Sequence, residues 1–340
     1  MSTMTNTDST LSDSDSAGAE AGRGRGRGLR LSGMNWLVWR QHRAAYWTML
    51  TATAITVAVF VYQRHEMITY LGGYGYPDLK SGWEAKFDHD PLNVAAMMLG
   101  FLPVLIGVFV GAPLLAGDLE NGTAKLVNAQ SVSRVRWLAT KLGVTALVVV
   151  VCTTALSAAF TWWWSPVKSS SYFTSWTDGP VFDNSGPVPV ALSLLTVVGG
   201  VAIGMLLRRT LLSMVVTLGF TVAVQMVWSY FRLSLANVVT VTSHNGVGDN
   251  STPNVPDGAH QLDESYLTAS GDLIGWGSCA EATEKARDAC LDKAQVVGWS
   301  VDYIPISQMS SMQWLGSSIL LALTAGIVVF VILWGRKRLV

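Results

Sequence analysis

Read as a pattern of apolar and polar positions, the chain falls into six long apolar runs separated by polar segments of very unequal length. The runs are Ala44–Tyr62, Leu92–Leu115, Leu142–Trp164, Val188–Leu207, Leu211–Phe231 and Trp314–Trp334, and none contains Asp, Glu, Lys, Arg or His. A helix of roughly 20 apolar residues crosses about 30 Å of hydrocarbon. In lipid, each backbone polar group must also be satisfied from within the protein, which a helix does by itself. The pattern therefore predicts an all-α polytopic membrane protein with six transmembrane helices. It divides into a disordered tail (1–33), a region with an interfacial elbow helix and five spans (34–231), a large outer loop element (232–313), and a sixth span with a basic end (314–340).

Composition supports this and adds an orientation. Half of the residues are hydrophobic and only 14% are charged, against about 25% in an ordinary soluble chain. The formal net charge is zero, so what matters is where the cations lie. With the N-terminus inside, the inner segments hold fifteen of the 23 Lys and Arg residues and the outer segments hold eight. Three of those eight sit far out in the long loop, where the bias counts little. Both termini are therefore expected in the cytoplasm, as six spans also require. The first 30 or so residues contain no apolar stretch before Ala44, so a cleavable signal peptide is not expected and the first span is read as an anchor. The Arg-Gly run at Arg23–Gly28 reads as a basic tail held to lipid at the inner leaflet, with no nucleic acid as partner.

Features within and between the spans refine the picture. Met34–Trp47 repeats Trp and Arg at three- and four-residue spacing, which fits an interfacial amphipathic helix; a simple extension of the first span fits it equally well. The second span carries Pro103 and Pro113 with Gly100, Gly107 and Gly111, so kinks are expected, and kinks belong where neighbouring helices can re-satisfy the backbone. Gly107 and Gly111, like Gly200 and Gly204, have the spacing that allows close helix contact. Arg208-Arg209-Thr210 is the whole link between the fourth and fifth spans and predicts a tight hairpin. Gln225 is read first as an interhelical hydrogen-bonding group and second as a pathway residue.

In the long outer loop, 245–258 reads as turning or disordered, and Ser278 with Glu281 makes a capping-box pattern before a helical stretch. Cys279 and Cys290 lie on the oxidising side, where a disulfide is expected. Eleven residues of unbroken helix would hold their Cα atoms roughly 16 Å apart, whereas a disulfide needs less than about 7 Å. The bond thus requires a helix that starts later, nearer Lys285. Cys152, inside a span, reads as a small apolar residue.

The most patterned polar segment is Gly117–Lys141, GDLENGTAKLVNAQSVSRVRWLATK. It reads either as a helix-turn-helix elbow projecting from the inner surface or as a loop held to headgroups by Arg134, Arg136 and Trp137. Its E-N-G-T at Glu120–Thr123, S-V-S-R at Ser131–Arg134 and Trp137-x-x-x-Lys141 resemble the permease subunits of type 2 class ABC exporters. Gly111-Ala112-Pro113-Leu114, Thr161–Pro166, Tyr303-Ile304-Pro305 and Gln313-Trp314 are similar to the branch found in high-GC Gram-positive bacteria (actinobacteria). The resemblance covers nearly the whole chain from Met34 onward. It implies a coupling helix seated in a groove of a separate ATP-binding subunit, present in two copies and holding ATP and Mg. It also implies a second permease subunit, identical or homologous. The coupling residues would be Asp118, Glu120, Gly122, Thr123, Ser133, Arg134, Trp137 and Lys141. By the same analogy, Phe101, Phe109, Gln225, Met226 and Trp228 would line a substrate pathway.

The chain's own chemistry is consistent with an energy source elsewhere. It has no G-x-x-x-x-G-K-[ST] motif and not even one Gly-Lys pair, so it cannot cradle nucleotide in a P-loop. Its five His residues (42, 65, 89, 244 and 260) show no ligand spacing. His65-Glu66 starts like a zinc motif, but position 69 is Thr69. No metal site and no catalytic site are expected. The uncharged spans argue against an ion-coupled secondary transporter, which places ionisable groups at membrane depth. A membrane sensor that uses its outer loop stays open as an alternative. Uncharged lining favours a hydrophobic or amphipathic cargo such as a drug, lipid or peptide, carried outward as in multidrug efflux.

Overall fold

The structure is a computed structural model that describes residues 34–80, 82–122, 133–168, 175–248 and 251–338. The basic tail, with its Arg-Gly run, lies outside them. Six helical spans are long and apolar enough to cross a membrane. This is a multi-pass membrane protein.

The first span is α1 (Met34–Gly72). It is unbroken, so Met34–Trp47 extends the span and is not a separate interfacial elbow. The helix also runs ten residues past Tyr62, shortening the loop expected there. Its threonines do not interrupt it because their hydroxyls donate back to carbonyls one turn earlier, as Thr48 does to Ala44 O (2.8 Å) and Thr51 to Trp47 O (2.7 Å).

The second span is irregular, as its prolines require. It consists of α2 (Asp90–Gly100), α3 (Leu102–Ile106), a π-turn over Gly107–Gly111 and α4 (Ala112–Glu120). Carbonyls freed near the breaks are taken up by neighbouring helices: Gln225 Nε2 donates to Gly100 O (2.9 Å) and Thr196 Oγ1 to Pro103 O (2.8 Å). Gln225 thus acts as the interhelical tie its position predicts.

The third span is α5 (Arg134–Trp164). The fourth, α7 (Val188–Leu207), is the centre of the bundle, with fifteen of its 20 residues buried. The two glycine pairs meet here. A Cβ on Gly111 would lie 2.6 Å from Val197 O, and one on Gly200 would lie 2.7 Å from Gly107 O. Backbones in direct contact explain why the spacing is small-xxx-small on both partners. The fifth span, α8 (Thr210–Phe231), follows a two-residue link in which Arg208 caps α7 in the left-handed region (φ 56°). The sixth, α10 (Met309–Arg338), packs against α7.

At one end of the bundle, the connection between the third and fourth spans folds inward around the short helix α6 (Gly179–Phe182). It carries a polar knot. Asn184 Nδ2 donates to Ala96 O (2.6 Å), Gln313 Nε2 to Phe182 O (3.0 Å) and Ser157 Oγ to Gly186 O (2.8 Å). Asp183 accepts from Trp228 Nε1 (2.6 Å) and pairs with Arg232 (3.0 Å). Burial pushes the Asp183 carboxyl above the ordinary carboxylate range, while Arg232 and Trp228 pull it back. Four spans are tied here through one segment.

Among the described residues, the same end departs from the expected all-α fold. Residues 239–304 form a four-stranded antiparallel sheet in the order β1-β4-β2-β3: β1 Val239–Ser243, β2 His260–Thr268, β3 Leu273–Gly275, β4 Val296–Ile304. Val241 pairs with Val301, and Ser265 with both Ser300 and Gly275. A helix, α9 (Glu284–Lys293), lies between β3 and β4. Its N-cap is Thr283, whose hydroxyl accepts from Ala286 N (3.3 Å), in place of the expected Ser278–Glu281 box. Because α9 starts at Glu284, Cys279 stays outside it and the Cys279–Cys290 disulfide forms with a Cα–Cα distance of 5.7 Å. Tyr266 stacks on Trp299 (4.5 Å) over this bond's small core.

The glycine contact gives a direct test. Gly111→Ala is expected to destabilise the protein by about 1–3 kcal/mol through overpacking. Gly143→Ala, where no atom lies within 4 Å, should be neutral or gain up to about 1 kcal/mol from helix propensity. Thermal unfolding of the two detergent-solubilised variants, run side by side, checks the difference.

Candidate functional site at the base of the 117–141 segment

The end of the bundle opposite the sheet is organised around the two arms of this segment. One arm is α4, which delivers Asp118 and Glu120. The other is the start of α5, where Ser133 is the N-cap and its hydroxyl accepts from Arg136 N (3.3 Å). Residues 123–132 lie outside the described residues, and with them Thr123.

Three of the residues predicted to face a partner are interior. Lys141 is fully buried and forms an ion pair with the Asp118 carboxylate, which is itself only 10% exposed. The ammonium also donates to Leu114 O (3.2 Å) and lies over the Trp137 ring, 5.1 Å from its centroid. Taking a charge out of water costs several kcal/mol unless it is paired and hydrogen-bonded. Lys141 has all these compensations, so the pair closes the base of the segment like a clasp. Gln41 Nε2 then donates to the other Asp118 oxygen (2.8 Å), bringing in α1. Trp137 is buried in the cluster of Leu114, Leu115, Leu138 and Met205.

The other residues face outward. Glu120, Ser133 and Arg134 are exposed, and Gly122 turns the chain at φ 70°. Glu120 also reaches the fourth–fifth hairpin. Its carboxylate accepts from Thr210 N (2.8 Å), the first residue of α8, where a negative charge suits both the free N–H groups and the helix dipole. The α4 arm therefore connects to α1 through Gln41, to the α5 arm through Lys141 and to α8 through Glu120. Sequence reasoning missed Gln41 and Thr210. No local pattern marks either, since each is defined only by its partner.

The pathway candidates are not gathered in one place. Phe109 lines an apolar groove of about 510 Å3 between α1, the second span and α5, together with Met49, Thr56, Leu105 and Cys152. Trp228 lines a separate groove of about 430 Å3 with Phe220, Val224, Phe231 and Leu320. Phe101 and Met226 are 51% and 69% exposed and line neither. Gln225 is committed to Gly100 O.

A comparison with family models matches residues 50–232, more than half of the chain, to the family described as ABC-2 membrane transporter related. The chain belongs to this family. Neither a search of curated proteins nor one of solved structures finds a match. The matched region of this ABC-2 permease-type protein runs from the middle of α1 to the end of α8. It contains both arms of the 117–141 segment, though not Gln41, and stops before the sheet. Membership implies, in general terms, an ATP-binding partner subunit.

Breaking the clasp is expected to be costly. Lys141→Met or Asp118→Leu alone should destabilise the ABC-2 protein by about 3–5 kcal/mol, because each leaves an uncompensated buried charge. The double variant should recover most of the loss, as apolar replacement of a whole buried pair commonly does. Denaturation of the three variants in one detergent checks this double-mutant cycle.

Proposed function

We propose that this protein is the membrane subunit of an ATP-driven ABC exporter. The 117–141 segment, on the cytoplasmic side, docks into a separate ATP-binding subunit. Two such subunits, with ATP and Mg, drive two membrane subunits, each a copy of this chain or a homologue. Their closure moves a hydrophobic or amphipathic molecule outward, and the chain itself performs no catalysis.

The observation that carries this reading is the construction of the segment's base. Its exposed residues, Glu120 and Arg134, belong to arms fixed into the bundle by buried polar contacts. A push on such a segment is passed to α1, α5 and α8 together. A plain headgroup-binding loop has no need of a buried ion pair beneath it. The two apolar grooves, lined almost wholly by carbon, support an apolar or amphipathic cargo.

The test is co-purification from the native membrane. Wild-type protein should bring down an ATP-binding subunit, and Arg134→Glu, at an exposed position, should lose it while keeping the wild-type unfolding temperature. Absence of any ATPase from the wild-type pull-down would sink the proposal.

A further inference from the structure

A second cavity sits at the sheet end of the bundle, away from the grooves and from the 117–141 segment. It measures about 250 Å3 and lies between the far end of α1, the start of the second span and the end of α5. This is smaller than the roughly 300–1,000 Å3 clefts that hold drug-sized ligands, so its size suits a headgroup-sized molecule. Its walls are aromatic: Tyr70 and Phe87 have ring centroids 5.8 Å apart, and Trp163, largely buried, lines the same cavity. The Tyr70 hydroxyl is committed to Trp83 O (2.8 Å), which fixes the ring.

Two carboxylates, Glu66 and Asp88, line the same cavity and form no ion pair among the described residues. Among the described residues, Asp88 accepts only from Asp90 N (3.2 Å). One cation, Lys86, also lines it and is likewise without an ion pair among the described residues. The balance is one net negative charge beside three aromatic rings. Aromatic faces attract a cation through the ring quadrupole, and ammonium groups bearing methyls are the ligands such boxes recognise. An anion would meet two carboxylates against one lysine. A bare metal ion would find no third carboxylate, histidine or thiolate, since no group of three such ligands occurs among the described residues.

We propose that this cavity is a binding site for a small methylated ammonium cation, held against Tyr70, Phe87 and Trp163 with Glu66 and Asp88 as counter-ions. The site is independent of the ATP-binding partner and of the exporter reading.

The experiment is a titration of the purified full chain, in uncharged detergent, with choline and with 3,3-dimethylbutan-1-ol, its neutral carbon isostere. Choline should bind saturably and the isostere should not. Loss of a charge-assisted or cation–π contact is worth on the order of 1–2 kcal/mol, so Glu66→Gln with Asp88→Asn, and Phe87→Leu separately, should each weaken binding about tenfold or more. Lys86→Gln removes a repulsion and should tighten it. All four positions are at least partly exposed, and unchanged thermal unfolding verifies that the variants fold. Equal binding of the isostere, no saturable binding, or an unaffected Phe87→Leu variant would each overturn the proposal. So would weaker binding in Lys86→Gln, which marks a zwitterionic or anionic ligand, or displacement by Ca2+ without dependence on the rings.

Discussion

A helix that breaks within hydrocarbon has no water to turn to, and the second span breaks twice. Its freed carbonyls must find donors on other helices, and its glycine-rich π-turn must lie against a backbone close enough to replace missing side-chain packing. Both needs are met by α7 and α8. Thr196 and Gln225 supply the donors, and Gly200 lets α7 approach the turn so closely that a methyl group would collide with Gly107 O. The position of α7 at the centre of the bundle follows from this, since it packs against the second span, α8 and α10 at once. Irregularity in one span thereby dictates the packing order of the rest.

The two ends of the bundle are held by polar contacts of different kinds. At one end, the Asp118–Lys141 pair, with Gln41 and Glu120, fastens α4 to α1, α5 and α8. At the other, Asp183 and its neighbours draw four spans around an inward-folded connection. Between them the packing is largely apolar, apart from the π-turn and neutral hydrogen bonds such as those of Thr196 and Gln225. Such a body has stiff ends and a middle whose packing is not locked by charge. That is a suitable build for a membrane subunit that responds to events at one end. The sheet adds a second small folded unit, with its own disulfide and core, and lies outside the region that defines the family.

The spans were legible in the sequence because helix formation and membrane crossing both depend on local properties: length, apolarity and the absence of charge. The proline and glycine positions announced the break in the second span for the same reason, as each acts on its own backbone. The late start of α9 followed from the fixed reach of a disulfide against the rise of a helix. What the sequence alone could not determine was which residues meet. Strand β1 pairs with β4 some 60 residues later, so the sheet was hidden in a loop whose composition looked helical or irregular. Lys141 and Asp118 looked like surface residues of a charged segment, yet helix length and packing turn them inward to pair. Glu66 and Asp88, unremarkable apart, share a cavity with three aromatic rings only because the bundle brings α1 beside the second and third spans. Local chemistry is written in the order of residues, whereas partners are chosen by the closing of the bundle.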